Sequence, residues 1–236
     1  MSLVMLEERY LELKERIAIA AKSVGRAPSE IMLLAVSKGQ NAESIRTVAE
    51  LGLKNFGENY FQELSSKSAE LSDTEINWNF QGTLQRRKIK DILKITSSIL
   101  SVARIEELEE IEKRANLLLH SNDSRRLQPA QCNCSCYIEV NIGREPRKNG
   151  VLPENLRALL DFAETLSKVK IDGLMTVPPA GSNPSRWFAE LRELGMRNGI
   201  SKFSMGMSSD FESAIREGST MVRIGTALFG ERPSKI

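Results

Sequence analysis

The chain has 236 residues, 41% hydrophobic and 27% charged, the proportions of an ordinary globular protein with no disordered half. Its 33 basic and 31 acidic residues leave a net charge of +2, which excludes a large field for nucleic acid. No apolar run approaches the length of a membrane-spanning helix, and the length suits one barrel-sized domain.

The chain opens on Leu6, Tyr10, Leu13 and Ile17 at helical spacing, with Glu and Lys on the opposite face. This predicts an amphipathic helix over residues 1–21, packed on the outside of the remaining chain. Charges interleave its apolar positions, which a signal peptide does not tolerate, so a cytoplasmic protein is expected.

A repeating unit then begins: a short apolar run, a small or polar loop, and a helical pattern. The runs at 31–37, 54–57, 78–82, 98–102, 136–142, 171–177, 203–207 and 221–225 predict eight strands. Helices are predicted between them at 42–51, 60–71, 105–119, 153–167, 184–194 and 209–217, with Asn41 as an N-cap and Gly52 and Gly218 as C-caps. Alternation implies parallel strands with crossovers, and eight units favour closure into a (β/α)8 barrel over an open doubly wound sheet. One domain over 1–236 is expected, its units reaching almost to the C-terminus without room for a second. A polar stretch over 120–131 interrupts the pattern as a surface insertion.

In such a barrel the functional residues lie just past the strands' carboxyl ends. The first run, IMLLAVSKGQ, ends in Lys38, whose amine, if desolvated, can attack an aldehyde and form a Schiff base; a lysine snorkelling to solvent is the bland alternative. The loops after strands seven and eight commonly bind phosphate. Ser208, Ser209 and Thr226 offer hydroxyls there, Gly225 permits close backbone approach, and a helix starting after Ser208 would add free N–H groups. Ordinary helix capping by either serine competes with that reading. Arg223 alternates with Val222 and Ile224, so it faces away from them and needs a partner, either a ligand's ring nitrogen or a carboxylate such as Glu139.

Six segments, LLAVSKGQ, FGENYFQE, WNFQGTLQRRK, YIEVNIGREPRKNG, IDGLMTVPP and KFSMGMSSDFESAIREGSTMVRIGTALFG, occur in order across most of the chain. Read together, the sequence resembles the YggS/PROSC family of pyridoxal 5′-phosphate (PLP) homeostasis proteins. The resemblance implies a barrel like the amino-terminal domain of alanine racemase, with Lys38 as the Schiff-base lysine. It further implies that Ser208, Ser209, Gly225 and Thr226 hold the phosphate, that Arg223 faces the pyridine nitrogen, and that Asn59, Asn141 and Met175 line the pocket. The sequence departs from the family at Asn79, where a histidine is usual, and at Gln81, where an aliphatic residue is usual.

An arginine at the pyridine nitrogen opposes its protonation and weakens the ring as an electron sink. Racemisation also needs a second acid or base opposite the lysine. Tyr60 alone among the tyrosines comes just after a strand end, and it is expected to begin the packed face of a helix; the single histidine, His120, lies beside the insertion. The expectation is therefore a non-catalytic PLP carrier that stores, buffers or delivers the cofactor to PLP-dependent apoenzymes. A PLP-dependent amino-acid racemase is the alternative, weak racemase activity is compatible with the carrier reading, and a barrel enzyme acting on a phosphorylated sugar is a third reading.

No catalytic residue is assigned. Cys132, Cys134 and Cys136 are expected as reduced thiols rather than metal ligands, and Arg86, Arg87, Lys88 and Lys90 as a solvated helix face. A monomer without nucleic-acid or membrane partners is expected.

Overall fold

The computed structural model describes residues 3–119 and 134–231. The insertion at 120–131, with His120 and Cys132, lies outside the described residues.

Eight strands, β1 (Met32–Val36), β2 (Asn55–Glu58), β3 (Asn77–Phe80), β4 (Thr96–Val102), β5 (Cys134–Glu139), β6 (Val169–Met175), β7 (Phe203–Ser204) and β8 (Met221–Ile224), form a closed barrel in sequence order. Every pairing is parallel, and β8 closes on β1 with Leu34 opposite Arg223 and Ala35 opposite Ile224. That last ladder excludes the open sheet: the chain is a (β/α)8 barrel.

Nine α-helices are present among the described residues: α1 (Leu3–Lys22), α2 (Ala42–Glu50), α3 (Phe61–Glu70), α4 (Ile89–Leu93), α5 (Ile105–Leu119), α6 (Leu156–Glu164), α7 (Pro184–Arg197), α8 (Phe211–Arg216) and α9 (Thr226–Phe229). Leu6, Tyr10, Leu13 and Ile17 are buried where α1 lies against α2, α8 and α9, so one apolar stripe fixes the helix to the barrel's outer layer. Asn41 caps α2 by accepting the Ser44 N–H at 2.9 Å, and Gly52 and Gly218 come just after their helices with φ of +96° and +99°.

The main apolar core fills the layer between strands and helices. A smaller cluster of Leu34, Leu100, Tyr137, Met175 and Met221 is separate from it.

Several boundaries differ from those read in the sequence. β7 is two residues long, and β5 and β6 start and stop two or three residues before the predicted runs, with Val140, Ile142 and Thr176 buried and Val177 half-buried in the loops beyond. Hydrophobicity therefore outlasts the ladder at this end. α8 begins at Phe211 rather than 209, while α4 and α9 carry too few turns to show a periodic face.

Candidate functional site

A cavity of about 780 Å³ opens beyond the strand ends, within the size range of small-ligand sites. Lys38, Asn59, Met175, Ser208, Ser209, Arg223, Gly225 and Thr226 all line it. Barrel closure thus brings to one place residues from both ends of the chain.

Lys38 stands on a tight turn just after β1. The Gln40 N–H closes the turn on the Ser37 carbonyl at 3.0 Å, and Gly39 takes a φ of +73° that a side chain would oppose. Before the turn, the Ser37 N–H continues the ladder to the Gly57 carbonyl at 3.0 Å. The lysine therefore leaves a fixed point of the barrel rim, half-buried, with Val36 beside it in the cavity wall.

Arg223 is buried in the barrel and its fork is taken by neutral oxygens. Nη1 donates to the Ser204 carbonyl at 2.5 Å and the Ser204 hydroxyl at 2.9 Å, and Nη2 donates to the Thr176 carbonyl at 2.8 Å. Burial pushes its pKa down to about 10, opposed through space by the charges of Glu139 and Asp210. It stays cationic at neutral pH. Glu139 also faces the cavity; burial raises its carboxyl above the usual range, against the Asn149 amide, which donates to Oε2 at 2.5 Å, and the Arg223 charge.

The loops after β7 and β8 are tied into one unit. The Arg223 N–H donates to the Gly206 carbonyl at 2.9 Å, and the Ala227 N–H donates to Ser208 Oγ at 3.1 Å. Gly206 holds a φ of +96°, and a Cβ there would come within 2.6 Å of Ala214 Cβ, so this crossing admits only glycine without a shift. Because α8 starts at Phe211, Asp210 rather than Ser208 or Ser209 takes its N-cap position. The Asp210 carboxylate accepts the Met207 N–H at 2.6 Å. Both serines remain on the cavity wall beside Thr226 and Gly225.

Asn141 is the one assigned residue that is not in the lining. Its side chain donates to the Glu145 carbonyl at 2.8 Å and accepts the Glu145 N–H at 3.0 Å, which shapes the turn after β5. Asn79 is buried outside the lining, where it donates to the Asn77 carbonyl at 2.9 Å and accepts from Ser98 Oγ at 2.5 Å. Tyr60 occupies the N-cap position of α3 at 58% exposure, so it does not begin a packed face as expected; it borders a separate cleft.

Gln81 has a place in the site that the sequence marked only as a departure. It lines the cavity and donates from Nε2 to Asn59 Oδ1 at 3.2 Å. Its position one residue past Phe80, at a strand's carboxyl end, was the available signal. Gln40 and Gly230 are further lining residues with no sequence signature.

Outside the cavity, Arg86 and Arg87 are exposed, and Arg86 pairs with Glu110 at 3.3 Å. Cys134 and Cys136 are buried free thiols, and no group of three His, Cys, Asp or Glu residues among the described residues is placed to hold a metal ion. No helix of the described residues is long and apolar enough to cross a membrane.

A parallel barrel with a lysine after its first strand and a hydroxyl-lined cup after its last two defines a class, the alanine racemase N-terminal barrels. The family model described as "Alanine racemase, N-terminal domain" matches residues 12–233. The chain is 41% identical over 234 residues to the pyridoxal phosphate homeostasis protein of Aquifex aeolicus (strain VF5), covering 95% of this chain and 97% of that one. PipY of Synechococcus elongatus PCC7942, solved with PLP bound, superposes with a TM-score of 0.76 at 32% identity, covering 91% of this chain and 100% of that one. Alanine racemase of Clostridium difficile 630 shares the fold, with a TM-score of 0.66 at 14% identity over 95% of this chain and 58% of that one. The chain belongs to the family of pyridoxal phosphate homeostasis proteins.

Proposed function

We propose that the chain binds PLP covalently through Lys38, as a Schiff base, and serves intracellular PLP homeostasis by storing, buffering or delivering the cofactor. The observation that carries this is the meeting of a lysine amine, a buried cation and a hydroxyl cup on one cavity of about 780 Å³. The residues fit the cofactor's three chemical handles. Lys38 suits an aldehyde, Ser208, Ser209 and Thr226 with Gly225 suit a phosphate, and Arg223 suits a ring nitrogen with a free lone pair. Asn59 and Met175 are proposed to shape the remaining wall, with Asn141 acting only through the turn after β5. The relatives' name and the PLP in PipY support the same reading.

When bound, PLP supplies an aldehyde for reversible capture and a ring that can act as an electron sink. The protein's own groups favour capture. Arg223 is held cationic against neutral oxygens and opposes a second positive charge on a ring nitrogen placed beside it. Besides Lys38 and Arg223, the described cavity lining holds one ionisable side chain, the Glu139 carboxyl, and neither tyrosine nor histidine.

We read the chain as a non-catalytic carrier that works as one barrel unit over 1–236, as a monomer in the cytoplasm, with PLP-dependent apoenzymes as recipients. Incubating the PLP-loaded protein with L-alanine or D-alanine alone tests the carrier reading against a racemase. Retention of each enantiomer's purity is expected. Steady inversion proportional to protein concentration would overturn it.

A further inference from the structure

Behind the turn that bears Lys38 lies a charged cluster outside the cofactor cavity. Lys67, on α3, is buried, and its ammonium donates to Glu58 Oε1 at 2.7 Å, Glu63 Oε2 at 2.7 Å and the Ser37 carbonyl at 2.8 Å. The Ser37 hydroxyl donates to the same Glu58 oxygen at 2.7 Å. Glu63 Oε2 also accepts the Gly39 N–H at 2.7 Å. The residues immediately before and after Lys38 are therefore each gripped by a charged group, and the two groups are ion-paired to each other.

As a stabilising device the cluster is poor. Glu58 is fully buried and its Oε2 has no hydrogen-bond partner among the described residues, and an ion pair withdrawn from water gains little net stability under those conditions. Its geometry is instead directed at the backbone on either side of Lys38. Tight turns held only by one internal hydrogen bond open readily, whereas charge-assisted bonds at both flanks fix the direction in which the central side chain leaves the backbone.

We propose that Lys67 and Glu63 are positioning residues that clamp the Ser37–Gly39 turn and so set how tightly Lys38 retains the cofactor. The inference rests on the proposed Schiff base at Lys38, in which Nζ and the aldehyde carbon form a C=N bond with loss of one water, and release is the reverse hydrolysis. A loosened turn lets the C=N bond swing out of line with the phosphate cup, so hydrolysis is no longer opposed by a fixed geometry.

Glu63 is half-buried, so Glu63→Ala is expected to fold, and Glu63→Gln keeps an acceptor for Gly39 without the charge. Two readouts are informative: hydrogen exchange of the Gly39 amide in the cofactor-free protein, and the rate at which loaded protein surrenders PLP to excess phosphatase. Glu63→Ala should speed both by about tenfold, the worth of one charge-assisted hydrogen bond, with Glu63→Gln falling between it and the parent protein. Lys67→Met should speed release in the same direction. Wild-type Gly39 exchange and release rates in Glu63→Ala would overturn the clamp. Borohydride reduction that leaves Lys38 of the parent protein unmodified would instead overturn the Schiff-base reading, while Gly39 exchange would still report whether the clamp exists.

Discussion

Arg223 holds Ser204 twice, through the backbone carbonyl at 2.5 Å and the hydroxyl at 2.9 Å, while its second terminal nitrogen reaches Thr176. A planar fork is needed to serve β7 and the residue after β6 at once, and a lysine ammonium at the same place could not span both. Arg223→Lys keeps the charge and loses the fork. It is expected to lower the unfolding free energy of the cofactor-free protein by about 1–3 kcal/mol, measured by urea titration. An unchanged midpoint and slope would show that the fork does no structural work.

Glu139 gives a pH dependence of definite sign. Burial raises its carboxyl above the ordinary 4.5, so the folded chain binds this proton more tightly than the unfolded chain. Stability from this group is therefore full below the ordinary value and declines as pH rises through the raised one. Glu139→Gln should raise the thermal midpoint at pH 8 relative to the parent protein, with the difference shrinking towards pH 4. A larger gain at pH 4 than at pH 8 would reverse the assignment.

Gly82 sets the position of Asn59. A Cβ at residue 82 would fall 1.8 Å from the Asn59 carbonyl oxygen and 2.6 Å from its carbon, so backbone must move. Gly82→Ala is expected to cost about 1–3 kcal/mol and to weaken PLP binding, because Asn59 and its partner Gln81 form one wall of the cavity. Equilibrium binding followed by visible absorbance checks this, and parent-like affinity would count against it.

Much of this was legible in the sequence because the barrel repeats a simple alternation, and its mouth collects the residues just past each strand. Lys38, Arg223 and the Ser208 and Thr226 segments stand just after or within strong apolar runs, so their places at the rim could be read from spacing alone. The parts that stayed hidden depend on closure. That Lys67 of α3 reaches the Ser37 carbonyl, or that Gln81 faces Asn59, arises from the packing of elements that sequence spacing does not relate. Arg223 illustrates the limit: its burial was readable from alternation, but its partners proved to be neutral oxygens of β7 and the residue after β6 rather than a paired carboxylate.

The buried cysteines should be inert. Burial pushes the Cys134 thiol up to about 11 and Cys136 well above its ordinary range, so little thiolate exists at pH 8. Of the three cysteines, no more than one is expected to react with a thiol reagent in the folded protein, and all three after unfolding in denaturant. Prompt reaction of two or three in the folded state would contradict the burial.

Whether Lys38 carries the cofactor is decided by borohydride reduction of the PLP-loaded protein and peptide mass spectrometry. A single pyridoxyl phosphate adduct on Lys38 is expected, absent from Lys38→Ala together with the visible absorbance. An adduct on a different lysine with Lys38 unmodified, or unchanged absorbance in Lys38→Ala, would contradict the Schiff-base assignment.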